Sequence, residues 1–273
     1  MSLFSRKKKL IVSGCSYTDD YATTQNLKPF PLWAELLAEK LDMECINVGK
    51  IAFGNKAIYS TLIDQVVSQK NVGLAISMWS EFQRVSFYMG EGNLPKGIDE
   101  KMLWSCFHPE RDYLEGEWHD QFYDDAEKNP AKKDYVYKVS KVIRENGLGG
   151  MKGGTYDSIR MMYSFQTICE SLDIPHLQVQ GCIPIMSKTG NRGQKELCHY
   201  ILDSCYFDKI NKKTFLGWPI MPQISGTNID NHLDLIDPDR TALRISPEDV
   251  HPNEEAQEII SEILYDQYNK VYS

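Results

Sequence analysis

The sequence predicts an α/β fold: a parallel sheet of about five strands covered by helices on both faces, three layers in all, with a large insertion after the third strand. Three observations predict it. Short apolar, β-branched runs ending in turn residues recur along the chain. Amphipathic stripes at helical spacing follow them. The alternation then breaks between Glu81 and Thr155 and resumes beyond it.

Lys9 to Ser13 is the first such run, closed by Gly14, as expected of a strand buried on both faces. Pro31 stands where a first helical position tolerates proline, and Trp33, Leu36, Leu37 and Leu41 then recur on one face. Cys45 to Val48 reads as a second strand, closed by Gly49 and Gly54. Ile58, Leu62, Ile63, Val66 and Val67 mark a second helix, and Asn71 to Trp79 a third strand. The segment from about 81 to 155 is rich in Trp, Tyr, Phe and charge and ends in a glycine cluster at Gly147, Gly149, Gly150, Gly153 and Gly154. It reads as an insertion or lid subdomain within a single domain of residues 1–273, helical around Tyr135 to Arg144. Its aromatics, Trp104 and Trp118 among them, suit a lid, a sugar-stacking wall, a subdomain core or a subunit interface. Ile159, Met162, Phe165, Ile168, Cys169 and Leu172 form the next helical stripe, and His176 to Gln180 a fourth strand. Residues 183 to 245 show only a helical hint at Gln194 to Asp203. A last helix follows Pro252, with Ala256, Ile259, Ile260, Ile263, Leu264 and Tyr268 on its stripe and an acidic first turn at Glu254 and Glu255.

Composition excludes several functions. A formal charge of −8, from 30 Lys+Arg against 38 Asp+Glu, with no long basic stripe, argues against nucleic acid. Seven cysteines without a Cys-x-x-Cys pair read as reduced, mostly buried thiols. His108, His119, His176, His199 and His232 have no metal-site spacing, and neither a metal nor a cofactor is expected. The first loop has no dinucleotide or P-loop glycine pattern. The N-terminal apolar run is too short for a signal-peptide core or a membrane span, so a cytoplasmic protein without membrane contact is expected.

Two segments carry chemistry. Gly14-Cys15-Ser16-Tyr17-Thr18 ends the first strand, where open α/β sheets bind ligands, and presents a hydroxyl. Glu248-Asp249-Val250-His251-Pro252 sets an imidazole beside carboxylates at the entry of the last helix. A serine becomes a nucleophile when a histidine oriented by an acid takes its proton. Ser16 and His251 are therefore the candidate pair, with Glu248 or Asp249 as the orienting acid. Gly54 and Asn55, just before the second helix, and Ser80, after the third strand, are candidate oxyanion or substrate-binding donors; each also has a plain structural use in a turn or a helix cap.

These segments resemble the conserved blocks of the SGNH (GDSL-type) hydrolases. Gly14-Cys15-Ser16 is similar to the Gly-Asp-Ser first block, with cysteine at the aspartate position; Asn47 to Gly54 resembles the second block, and Glu248 to Pro252 the final Asp-x-x-His-Pro. Trp79-Ser80-Glu81 stands where the third block carries its asparagine, and with Arg84 it looks like a divergent branch found in phages and environmental bacteria. The resemblance implies a flavodoxin-like α/β/α frame with Ser16 as nucleophile, His251 as base, and the amides of Ser16 and Gly54 as oxyanion donors. It implies an esterase or acylhydrolase acting on small-molecule or glycan esters. The absent asparagine removes a donor of the kind worth about 2.7 to 4 kcal/mol in the transition state. A catalytically weak or inactive relative is the alternative, serving as a binding or structural component, for instance of a phage particle. Homo-oligomer and virion settings both fit such a chain.

Overall fold

A computed structural model describes residues 7–89, 104–109, 130–185 and 190–273. In chain order its elements are β1 (Lys9–Ser13), α1 (Tyr21–Thr24), α2 (Trp33–Lys40), β2 (Glu44–Asn47), α3 (Asn55–Ser68), β3 (Val72–Trp79), β4 (Val85–Tyr88), β5 (Trp104–Phe107), α4 (Pro130–Glu145), α5 (Met151–Ser171), β6 (His176–Gln180), α6 (Gly190–Leu202), β7 (Phe215–Leu216), α7 (Ile229–Ile236) and α8 (Glu254–Tyr272).

The central sheet has five strands in the order β2-β1-β3-β6-β7, and every neighbouring pair is parallel. Alternate residues of each strand face opposite layers. Leu10 and Val12 of β1 join Leu74, Ile76 and Met78 of β3 in one core, closed by Trp33, Ala34 and Leu37 of α2, Ile229 and Leu233 of α7, and Ala256, Ile260 and Leu264 of α8. Ile11, Ala75 and Trp79 face the other way, onto Ala57, Ile58 and Leu62 of α3, Ile159, Met162 and Phe165 of α5, and Leu197 and Ile201 of α6. This is the expected three-layer α/β/α arrangement. Because the chain leaves β1 for β2 on one side and returns to β3 on the other, the carboxyl end of β1 is a topological switch point.

Several boundaries differ from expectation. Pro31 lies outside α2, whose N-cap is Leu32; the Glu35 side chain accepts the Leu32 amide at 2.9 Å and so closes the helix start. Val67, expected on the buried stripe of α3, is exposed, since it falls outside the face formed by Ala57, Ile58, Leu62 and Val66. Helix α5 begins at Met151 and so takes in Gly153 and Gly154. Glycine costs about 1 kcal/mol relative to alanine within a helix, and the buried stripe of Ile159, Met162, Phe165 and Cys169 offsets it. The fifth strand is the two-residue β7, which pairs with Gln178 and Val179 of β6; it falls in the stretch whose sequence shows no strand pattern.

Within the expected insertion, β4 and β5 form an antiparallel pair, and Phe107 packs with Val136 and Ile143 of α4 in a small core of its own. Trp104 pairs edge-on with Tyr88 at a centroid distance of 5.4 Å. Trp118 and His119 lie outside the described residues. Among the described residues all seven cysteines are free, three of them buried and Cys205 exposed; no group of His, Cys, Asp and Glu could hold a metal ion, and no helix is long and apolar enough to cross a membrane.

Candidate active site

The chain leaving β1 turns at once. The amides of Thr18 and Asp19 donate to the Cys15 carbonyl at 2.9 and 3.1 Å, and this turn carries Ser16. Gly14 is required there, because a Cβ would stand 2.1 Å from Thr18 Oγ1. Asn47, at the end of β2, braces the turn from beside it: its Nδ2 donates to the Thr18 carbonyl at 2.6 Å and its Oδ1 accepts the Gly49 amide at 3.0 Å. The Asp19 carboxylate accepts the Ile51 amide at 3.0 Å and pairs with Lys50 at 3.1 Å.

The histidine loop is held as firmly. The Ile245 amide donates to the His251 carbonyl at 2.9 Å, Arg244 and Pro252 form an isolated bridge, and Asn253 caps α8 by accepting the Ala256 amide at 3.1 Å. From this loop His251 Nε2 reaches Ser16 Oγ at 2.9 Å. Its Nδ1 lies 2.6 Å from Asp249 Oδ1, which also accepts the His251 amide at 3.2 Å. With a carboxylate on Nδ1 the ring proton sits there, and Nε2 is left to accept from the serine hydroxyl. Such an arrangement can move a proton from Ser16 onto the imidazole and stabilise the cation that results.

Of the two candidate acids, the loop presents Asp249. Glu248 is exposed, and its carboxylate accepts from Ser246 Oγ at 3.0 Å, away from the imidazole. Burial pushes the Asp249 carboxyl up, but the hydrogen bond and charge of His251, with a further bond from Tyr21, outweigh it and hold Asp249 below its ordinary value.

Of the three remaining candidates, Asn55 and Ser80 engage one another. Asn55 Oδ1 accepts the Ser80 amide at 2.8 Å while its Nδ2 donates to Ser158 Oγ at 2.8 Å and to the Ser80 carbonyl at 3.3 Å. Ser80 is fully buried, with Oγ 3.9 Å from Cys182 Sγ. A Cβ on Gly54 would lie 2.7 Å from Ser86 Oγ and 2.9 Å from Arg84 Cβ, so β4 and the residue before it pack against this glycine. Strand β4 lies in the expected insertion, which is why the second sequence block could not reveal that contact.

Two groups escaped the sequence reading altogether. The Tyr17 hydroxyl donates to Asp230 Oδ1 at 2.7 Å; Asp230 also accepts the Ile183 amide at 3.0 Å and pairs with buried Arg244 at 3.3 Å. This buried chain ties the serine turn to α7 and to the residue that bridges to Pro252. Burial, and then the neighbouring Asp230 charge, push the Tyr17 phenol well up, so it remains a donor. The second is Tyr21, whose ring stacks on the imidazole with centroids 3.7 Å apart and whose hydroxyl donates to Asp249 Oδ2 at 2.9 Å. Partners more than 200 positions apart leave no local pattern.

No family model matches the chain and no curated protein matches it. Solved structures do. The chain is similar to a protein described as lipolytic, of the G-D-S-L family, from Desulfitobacterium hafniense DCB-2, at 14% identity and a TM-score of 0.48 over 95% of this chain and 99% of that one. It is similar to the psychrotrophic esterase EstA from Pseudoalteromonas sp., in a form inhibited by monoethylphosphonate, at 13% identity and a TM-score of 0.47 over 96% and 97%. TesA matches at 10% identity and a TM-score of 0.46 over 95% and 97%. Likenesses of this size leave the chemistry to the distances around Ser16, His251 and Asp249.

Proposed function

We propose that the protein is a serine-dependent hydrolase of carboxylic esters. One observation carries this reading: a hydroxyl, an imidazole and a carboxylate from opposite ends of the chain lie in continuous hydrogen-bond reach, at 2.9 and 2.6 Å. Ser16 Oγ attacks the ester carbonyl as its proton passes to His251 Nε2. The tetrahedral intermediate collapses, and the imidazolium returns that proton to the leaving alcohol. Water, deprotonated by the same imidazole, then attacks the acyl-serine and releases the acid and the free serine. Asp249 holds the Nδ1 tautomer throughout. The backbone amide of Ser16 serves as an oxyanion donor, and no cofactor takes part. Small-molecule and glycan esters are the substrate class, met in a cytoplasmic setting.

A second reading has an observation behind it. With Asn55 and Ser80 engaged with each other and with Ser158, the oxyanion is left with few side-chain donors, which favours a weakly active protein used as a binding or structural component, in a homo-oligomer or a phage particle. Labelling with a fluorophosphonate, alongside hydrolysis of short p-nitrophenyl esters, separates the two. The hydrolase labels at Ser16, and Ser16→Ala abolishes both labelling and turnover while remaining folded. A folded wild type that neither labels nor turns over leaves the binding role.

A further inference from the structure

Tyr21 is attached to the site by two different contacts. Its ring lies on the His251 imidazole, 3.7 Å between centroids with an angle of 21° between planes, and its hydroxyl donates to Asp249 Oδ2 at 2.9 Å. The Asp249 carboxylate is thereby held at both oxygens, Oδ1 by the imidazole and by the His251 amide, Oδ2 by the phenol. The imidazole is bounded on its face by Tyr21, at its edge by Tyr17, whose ring stands 5.7 Å away at 70°, and at its nitrogens by Asp249 and Ser16.

The helix that carries Tyr21 is only four residues long, yet it is pinned. The Asp20 side chain accepts the Thr23 amide at 3.1 Å, the Leu27 amide donates to the Ala22 carbonyl at 2.9 Å, and Ala22 is buried. Burial, and then the Asp249 charge, push the phenol above its ordinary value, so the donor persists wherever Asp249 is ionised.

We propose that Tyr21 is a positioning residue for the Ser16–His251–Asp249 relay, its ring fixing the plane of the imidazole and its hydroxyl fixing the rotation of the carboxylate. The proposal rests on the ester-hydrolase reading. A carboxylate bonded at one oxygen can swing about its Cβ–Cγ bond and carry the imidazole out of line with Ser16; bonded at both, it cannot. The ring adds a second restraint, and its electron-rich face favours the imidazolium that forms when Ser16 gives up its proton. Substrate need not touch Tyr21 for any of this.

The test uses Tyr21→Phe, which keeps the ring and removes the donor, and Tyr21→Leu, which removes both, with Ser16→Ala as the control for background hydrolysis. On a short p-nitrophenyl ester, kcat is expected to fall about 10-fold in the Phe variant and about 100-fold in the Leu variant, with KM within about two-fold of wild type, because misalignment acts on the transition state and leaves ground-state binding alone. In proton NMR the downfield Nδ1 proton of His251, sharp in wild type, is expected to persist with Phe and to broaden with Leu. A Leu variant with wild-type kcat and a sharp Nδ1 resonance overturns the proposal, as does one whose kcat falls only in proportion to its loss of folded protein. If the folded wild type hydrolyses no ester, the hydrolase reading fails by itself, and the Nδ1 resonance still decides whether Tyr21 holds the imidazole.

Discussion

Ser16 and Ser80 follow the carboxyl ends of adjacent parallel strands, yet their surroundings differ. Ser16 is 7% exposed and its hydroxyl meets an imidazole 235 residues away in sequence; Ser80 is 0% exposed, its amide held by Asn55 and its hydroxyl beside Cys182. The difference lies in what the rest of the chain brings. Over β1 come the histidine loop, Tyr21 and the Tyr17–Asp230–Arg244 chain, and Gln257 of α8 reaches the Tyr17 carbonyl at 3.5 Å. Over the end of β3 come Asn55 and Gln180, whose side chains take up the Ser80 amide and carbonyl, with Ser158 on Asn55 in turn. A hydroxyl at the end of a strand gains reactivity from a base that arrives from elsewhere, and where neighbours satisfy it first it becomes part of the core.

The comparison can be broken most severely at the acid. Asp249→Asn removes the charge that orients His251 and is expected to lower kcat by about 10⁴-fold, whereas Glu248→Gln is expected to leave it within about two-fold; the reverse pattern in steady-state kinetics would return the choice of acid to Glu248. The other half of the comparison is a matter of stability. Asn55→Ala leaves the buried Ser80 amide and Ser158 hydroxyl without their partner, so equilibrium urea unfolding should show a loss of about 2 to 3 kcal/mol while Ser16 in the folded fraction still labels. Labelling lost with stability intact would move Asn55 into the reactive region.

The smallest effect is a pH dependence. The folded Asp249 carboxyl lies below its ordinary value, so the unfolded chain takes up this proton first as the pH falls. The stabilisation from Asp249 is therefore complete above the unfolded carboxylate value of about 3.9 and is lost as the pH drops through the lower folded value. Unfolding curves of wild type and Asp249→Asn measured from pH 6 down to pH 3 (~6 to ~3) should keep their separation at first and converge only at the acid end. A separation that stays constant to the acid end would mean that the carboxyl is not held down by His251 and Tyr21.

Much of the frame was legible because its signals are local. The runs at Lys9 to Ser13 and His176 to Gln180 are apolar and β-branched at strand length, and the stripes of α3, α5 and α8 recur at helical spacing. Ser16 was legible because a glycine turn after a buried strand is a place to expose a hydroxyl, and His251 because an acid-flanked histidine before a proline and a helix is uncommon. Strand β7 was not legible, being two residues that pair only because β6 offers its edge.

The sequence by itself determined the layers and pointed to the loop after β1 and to the entry of the last helix as the places of Ser16 and His251, since alternation implies a parallel sheet and each residue sits at the end of a strongly patterned element. The strand order came from the structure. Only the tertiary structure decided that Asp249 and not Glu248 faces the imidazole, that Tyr21 closes over the pair, and that Asn55 and Ser80 are engaged with each other. Those outcomes depend on loop dihedrals and on contacts between distant segments. A hydrogen bond of 2.6 to 2.9 Å is won or lost by a rotation of one side chain, and periodicity carries no information about it.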